Sequence, residues 1–97
     1  MKTQSFVVML RPAPKYGEEG TEEKVSEHFN YLKGLLDDGK LIMAGRFSEV
    51  LIGLSIIKAE SHEEALQIMK GDPAIEAGVF HGELYPWSIA LQKECKC

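Results

Sequence analysis

Two residues in this sequence can do acid–base chemistry from an interior position: His28, in "SEHFNYLKGLLDDGK", and Asp72, in "GDPAIEAG". An imidazole titrates near neutrality and has two distinct ring nitrogens. A carboxylate that holds one nitrogen leaves the other free to take or give a proton. Wound as a helix, Val25, Phe29, Leu32, Leu35 and Leu36 form one apolar stripe, and His28 falls between Leu32 and Leu35 around the circumference. The imidazole is therefore expected to point inward. Asp72 precedes Pro73 and is followed by Gly78, which reads as the N-cap of a short helical turn. A carboxylate has enough lone-pair positions to cap a backbone N–H and accept an imidazole N–H together. Two plainer alternatives stand beside this pair: a buried histidine bonded to a carbonyl, and an aspartate that only caps.

Ser55 and Arg46 are the candidate substrate-binding residues. Ser55 lies in an apolar run among Leu54, Ile56 and Ile57, without the G-x-S-x-G surroundings of a nucleophile. Arg46 follows Gly45 at the end of a strand-like run, where it could meet an anionic group. Lys15 and Tyr16 fall in a connection that could act as a lid. His62 and His81 read as a first-turn helix residue and an exposed strand residue, and neither is assigned a role. Cys95 and Cys97 close the chain; they cannot form a disulfide framework for the fold, and no neighbouring His or Cys completes a metal site. The sequence has no P-loop, dinucleotide fingerprint, H-E-x-x-H or cysteine cluster. Acid–base chemistry with no cofactor and no metal is the enzymatic class that remains.

The elements that must position these groups can be read in order. "SFVVMLRP" (5–12) is an aliphatic strand stopped by prolines that cannot donate to a ladder. Thr21 is the expected N-cap of the first helix, with Glu22 and Glu23 at the positive end of its dipole, and Gly39 ends it. "KLIMAGRF" and "EVLIGLSIIKAE" read as two strands joined by a short turn around Ser48. Ser61 and Glu64 have capping-box spacing before a second helix that buries Ala65, Leu66, Ile68 and Met69. "VFHGELYPWSIAL" (79–91) closes the fold as a strand interrupted by Pro86. The order βαββαβ predicts an α+β, ferredoxin-like fold, a four-stranded antiparallel sheet with helices on one face. The domain is expected to span 1–91, with 92–97 as a tail.

The strands "FVVML", "LIMA" and "LIGLSII" are apolar at successive positions, so both faces of the sheet need cover. A second copy would supply it, making a homodimer of the dimeric α+β barrel kind. The 97 residues carry a net charge of −4, which argues against nucleic acid as a partner. No apolar run approaches the ~20 residues of a membrane span, and the N-terminus does not read as a signal peptide. A cytoplasmic protein with a small-molecule partner is the expectation.

The ordered blocks His28, "LLDDGKLIMAGRF", "GLSIIKAESHEEA", "GDPAIEAGVF" and "ELYPW" resemble the YCII-related (YciI-like) family over residues 5–91. The resemblance implies a ferredoxin-like fold paired as a dimeric α/β barrel. It places the family's histidine on His28 and its aspartate on Asp72. It also implies an enzyme of lyase, dehydrochlorinase or isomerase type, since one member is a dehydrochlorinase acting on a chlorinated hydroxyhydroquinone. Relatives often have proline where this chain has Arg46, so the rim of the site differs. The alternative is a non-catalytic dimeric module that binds a small ligand or a protein.

Overall fold

The computed structural model of the protein describes residues 3–93. Its elements are β1 (Gln4–Pro12), α1 (Thr21–Asp37), β2 (Leu41–Arg46), β3 (Gly53–Ala59), α2 (His62–Lys70), α3 (Pro73–Glu76) and β4 (Phe80–Trp87). The strands form one four-stranded sheet in the order β2-β3-β1-β4, every neighbouring pair antiparallel. This is the ferredoxin-like α+β arrangement.

Strand alternation decides which side chains meet the helices. On β1, Phe6, Val8 and Leu10 are buried while their neighbours are only half-buried. Residues directly opposite in an antiparallel pair share a face. Ile57, opposite Phe6, and Ser55, opposite Val8, therefore lie on the helix side. The core joins these residues to Leu35 of α1, Leu41 of β2, and Ala65 and Ile68 of α2. Each large apolar side chain buried there stabilises the fold by about 1.5–3 kcal/mol. The other face carries Val7, Met9, Leu54, Met43 and Tyr85, half-buried or exposed, around a buried Ile56, and so presents an apolar band on the side the helices do not cover.

Several local readings are corrected. The N-cap of α1 is Gly20, whose φ of 90° needs a residue without Cβ, and Thr21 instead donates its hydroxyl to the Glu18 carbonyl at 2.8 Å. Residues 47–52 form a loop rather than a turn at Ser48, because Phe47 N–H pairs with the Ile52 carbonyl and closes the hairpin there. The last strand stops at Trp87. Pro86 sits within it because β4 is an edge strand, where a missing donor costs no ladder bond on the open side. Asp72 caps α3 as expected, accepting the Ala74 N–H at 2.9 Å. Cys95 and Cys97 lie outside the described residues.

The largest departure concerns the stripe on α1. His28 and Leu35 are buried, yet Phe29 and Leu36 are 57% and 53% exposed. The helix is rotated so that the histidine edge of the stripe meets the core. The Phe29–Leu36 edge turns towards a cleft instead.

Candidate functional site

His28 is held from two directions. Its backbone is fixed by α1, whose buried edge packs on the sheet, and its Nδ1 lies 2.5 Å from Oδ2 of Asp72. Asp72 reaches it because the Asp-Pro step starts α3 at that point and α3 packs against α1. His28 is 6% exposed and Asp72 4%, so the bond is shielded from water. Both Asp72 oxygens are used, Oδ1 by the Ala74 N–H and Oδ2 by the imidazole. An aspartate that caps and orients needs only this geometry.

The second ring nitrogen of His28 has no hydrogen-bond partner among the described residues, and no buried side-chain nitrogen or oxygen there is left without one. Nε2 therefore opens onto accessible space. A cleft of about 820 Å3 lies between α1 and the β2–β3 half of the sheet, and His28 lies in its wall. Ser55 forms part of the floor and is itself 4% exposed, while Arg46 stands at the rim. The structure thus brings all four candidate residues to one place: His28, Ser55 and Arg46 line the cleft, and Asp72 lies behind His28.

Rings make up one side of the cleft. The His28 imidazole lies edge-on to Phe80 at 5.5 Å between centroids and 5.4 Å from Phe29, and Tyr16 lies 5.8 Å from Phe80. Tyr16 lines the cleft, whereas Lys15 packs its stem near Gly78. Behind the histidine is a second cavity of about 20 Å3, roughly the room one water needs, bordered by His28, Tyr31, Ser55 and Asp72. Tyr31 donates its hydroxyl to the Ile68 carbonyl at 2.6 Å. Burial, and then the nearby Asp72 charge, push the Tyr31 phenol above its usual pKa.

Sequence reasoning passed over Lys33, Phe29, Phe80 and Tyr31 as site residues. Helix spacing could have found two of them: Lys33 follows Phe29 by one turn, and Tyr31 follows His28 by three residues on the inner side. Phe80 carried no signal, because strand alternation does not say which helix a residue will meet. Among the described residues, no three His, Cys, Asp or Glu side chains cluster as a metal site, and no helix is long and apolar enough to cross a membrane.

A four-stranded antiparallel sheet with helices on one face and a His–Asp pair beside a cleft defines a small α+β domain with a candidate acid–base site. The chain belongs to the YCII-related domain family, whose model matches residues 5–88. It is 32% identical over 72 residues to the uncharacterized protein YjpA of Bacillus subtilis (strain 168), which spans 74% of this chain and 85% of that protein. Its fold is similar to 5-chloro-2-hydroxyhydroquinone dehydrochlorinase (TftG) of Burkholderia phenoliruptrix AC1100, solved in complex with 2,5-dihydroxybenzoquinone. The TM-score is 0.65 at 19% identity, covering 86% of this chain and 93% of that one. A fold of this kind therefore supports an enzyme in at least one protein.

Proposed function

We propose that this protein is a cofactor-independent acid/base enzyme of lyase, dehydrochlorinase or isomerase type acting on a small molecule. The observation that carries the reading is the 2.5 Å bond from His28 Nδ1 to Asp72 in the wall of the cleft. With its Nδ1 proton held by Asp72, a neutral His28 presents the Nε2 lone pair as a base. Nε2 takes a proton from a substrate O–H or acidic C–H, and the imidazolium so formed is stabilised by the adjacent carboxylate. In an elimination, the electron pair released moves through the substrate and a leaving group departs as its anion. The proton on Nε2 then passes to solvent or returns elsewhere on the carbon frame, which gives isomerisation when no group leaves. Ser55 and Arg46 would hold a substrate oxygen.

The dehydrochlorinase activity of TftG supports this class, since the two folds superpose over most of both chains. A homodimer joined through the uncovered sheet face belongs to the same proposal, supported by the apolar band of Val7, Met9, Leu54, Met43 and Tyr85.

The test is turnover of chlorinated hydroxyhydroquinones, followed by chloride release and ring absorbance, with the wild-type chain and His28→Asn. The expected result is a rate reduced by about 100-fold or more with an unchanged circular dichroism spectrum. Asparagine that preserves turnover would overturn the catalytic assignment. A variant that loses stability but not ligand affinity would favour the binding-module reading.

A further inference from the structure

The charge of the cleft is opposite to that of the chain. The sequence has 15 Asp and Glu against 11 Lys and Arg, a net charge of −4, yet among the described residues no acidic side chain lines the cleft. Among the described residues, the formally charged side chains in its wall are Lys33 and Arg46. Neither is neutralised: the ion pairs among the described residues are Arg11–Glu83, Lys24–Glu27 and His28–Asp72. Asp37 stands one helical turn beyond Lys33, at the spacing of a helix ion pair, and no such pair is formed. Two unpaired cations beside an apolar cavity create a positive potential that its low-dielectric walls strengthen.

The rest of the lining limits what kind of anion fits. The rings of Phe29 and Phe80 stand beside the imidazole at 5.4 and 5.5 Å between centroids, and the Tyr16 ring stands 5.8 Å from Phe80. Such walls favour a flat, polarisable partner over a bare inorganic ion. The facing side includes Ala44 and Gly53, whose small size leaves open the width a ring requires. Two cations are too few to offset a polyphosphate, and no glycine-rich phosphate loop adjoins them. A volume of about 820 Å3 accommodates a substituted single ring.

We infer that the ligand of this cleft is an aromatic ring carrying an acidic group ionised at neutral pH, a carboxylate or ring oxyanion, which Lys33 and Arg46 hold while the ring lies against Phe29 and Phe80. This names the substrate class of the site proposed above and rests on that reading. Lys33 and Arg46 are its specificity-determining residues: they select the charge, and His28 faces the ring.

A matched pair of probes tests it: salicylate and its neutral amide, salicylamide, titrated into the full-length wild-type chain and into Lys33→Gln/Arg46→Gln, with amide chemical shifts as the readout. Wild-type protein is expected to bind salicylate about tenfold more tightly than salicylamide, the gain of one desolvated charge pair. The shifts should centre on Phe29, Gly53 and Phe80. In the double variant the preference should fall below about twofold, since salicylate loses the charge contact and with it far more affinity than salicylamide. Equal affinities in the wild type, a preference that survives the double substitution, shifts centred elsewhere, or no binding of salicylate at millimolar concentration would each overturn the inference. His28→Asn separates the two readings, because it should keep the salicylate preference. If the preference is absent while a neutral substrate is turned over in a His28-dependent way, the substrate class fails and the catalytic reading stands. If the preference is present and His28→Asn leaves turnover intact, the catalytic reading fails and the anion site stands.

Discussion

Asp72 and His28 meet at 2.5 Å across a sequence separation of 44, and the same carboxylate caps α3 through its other oxygen at 2.9 Å. One side chain therefore ties α1 to α3 and sets which nitrogen of the imidazole carries a proton. Asp72→Ala removes both bonds and leaves a buried Nδ1 without a partner. We expect a loss of about 2–4 kcal/mol in chemical denaturation, as a lost cap plus an unsatisfied buried donor. Asp72→Asn keeps an oxygen acceptor for Ala74 and should cost less than Asp72→Ala, while turnover falls in both.

Tyr31 predicts a pH dependence of stability. Its phenol is held above the usual tyrosine value by burial and by the Asp72 charge, so the unfolded chain ionises first as pH rises. The resulting contribution is fully present below a pH of about 10, and is lost as pH climbs from there through the folded-state value. Denaturant midpoints measured from pH 8 to 11.5 should fall at the alkaline end, and Tyr31→Phe should lessen that fall. At neutral pH the same substitution removes the bond to Ile68 and should cost about 0.5–1.5 kcal/mol.

Gly53 offers a way to fill the cleft without breaking the fold. A Cβ added there would meet Leu10 at 3.6 Å, an ordinary contact, on the helix side of the sheet. Gly53→Leu would extend further, into the space a ligand needs. The expected outcome is a stability change within about 1.5 kcal/mol, together with probe affinity reduced by about tenfold or more in a calorimetric titration.

Gly82 should tolerate no such change. A Cβ at this position would lie 2.8 Å from the Met69 sulfur and 3.0 Å from a terminal carbon of Ile75, where β4 lies against α2 and α3. Gly82→Val should destabilise the protein by about 1–3 kcal/mol through overpacking, read as a lowered thermal midpoint.

The uncovered sheet face predicts assembly. Val7 stands in the centre of that face between Ile56 and Tyr85. Val7→Arg should convert a dimer to a monomer in sedimentation velocity while leaving the secondary structure intact, because an unpaired charge in an apolar contact is costly. A wild-type chain that sediments as a monomer at micromolar concentration would rule out the pairing.

The positions of strands and helices were legible because their signals are local. The prolines after β1, the Ser61 cap of α2 and the Asp-Pro step of α3 act within a few residues of themselves. The Gly20 cap and the 47–52 loop escaped such reading. A left-handed glycine leaves no side-chain signature, and the hairpin closes through backbone bonds that any residues could make.

Sequence by itself determined the element order, the inward direction of His28, and the chemistry available to the four candidate residues. Tertiary structure alone decided how α1 is rotated on the sheet. That rotation exposes Phe29 and Leu36 and leaves Lys33 and Arg46 bordering one cleft. Periodicity along a helix specifies an apolar arc, but not which part of the arc meets the core and which part faces a cavity. That division follows from the volume of the side chains opposite, where Ala44 and Gly53 are too small to fill the gap between α1 and the sheet.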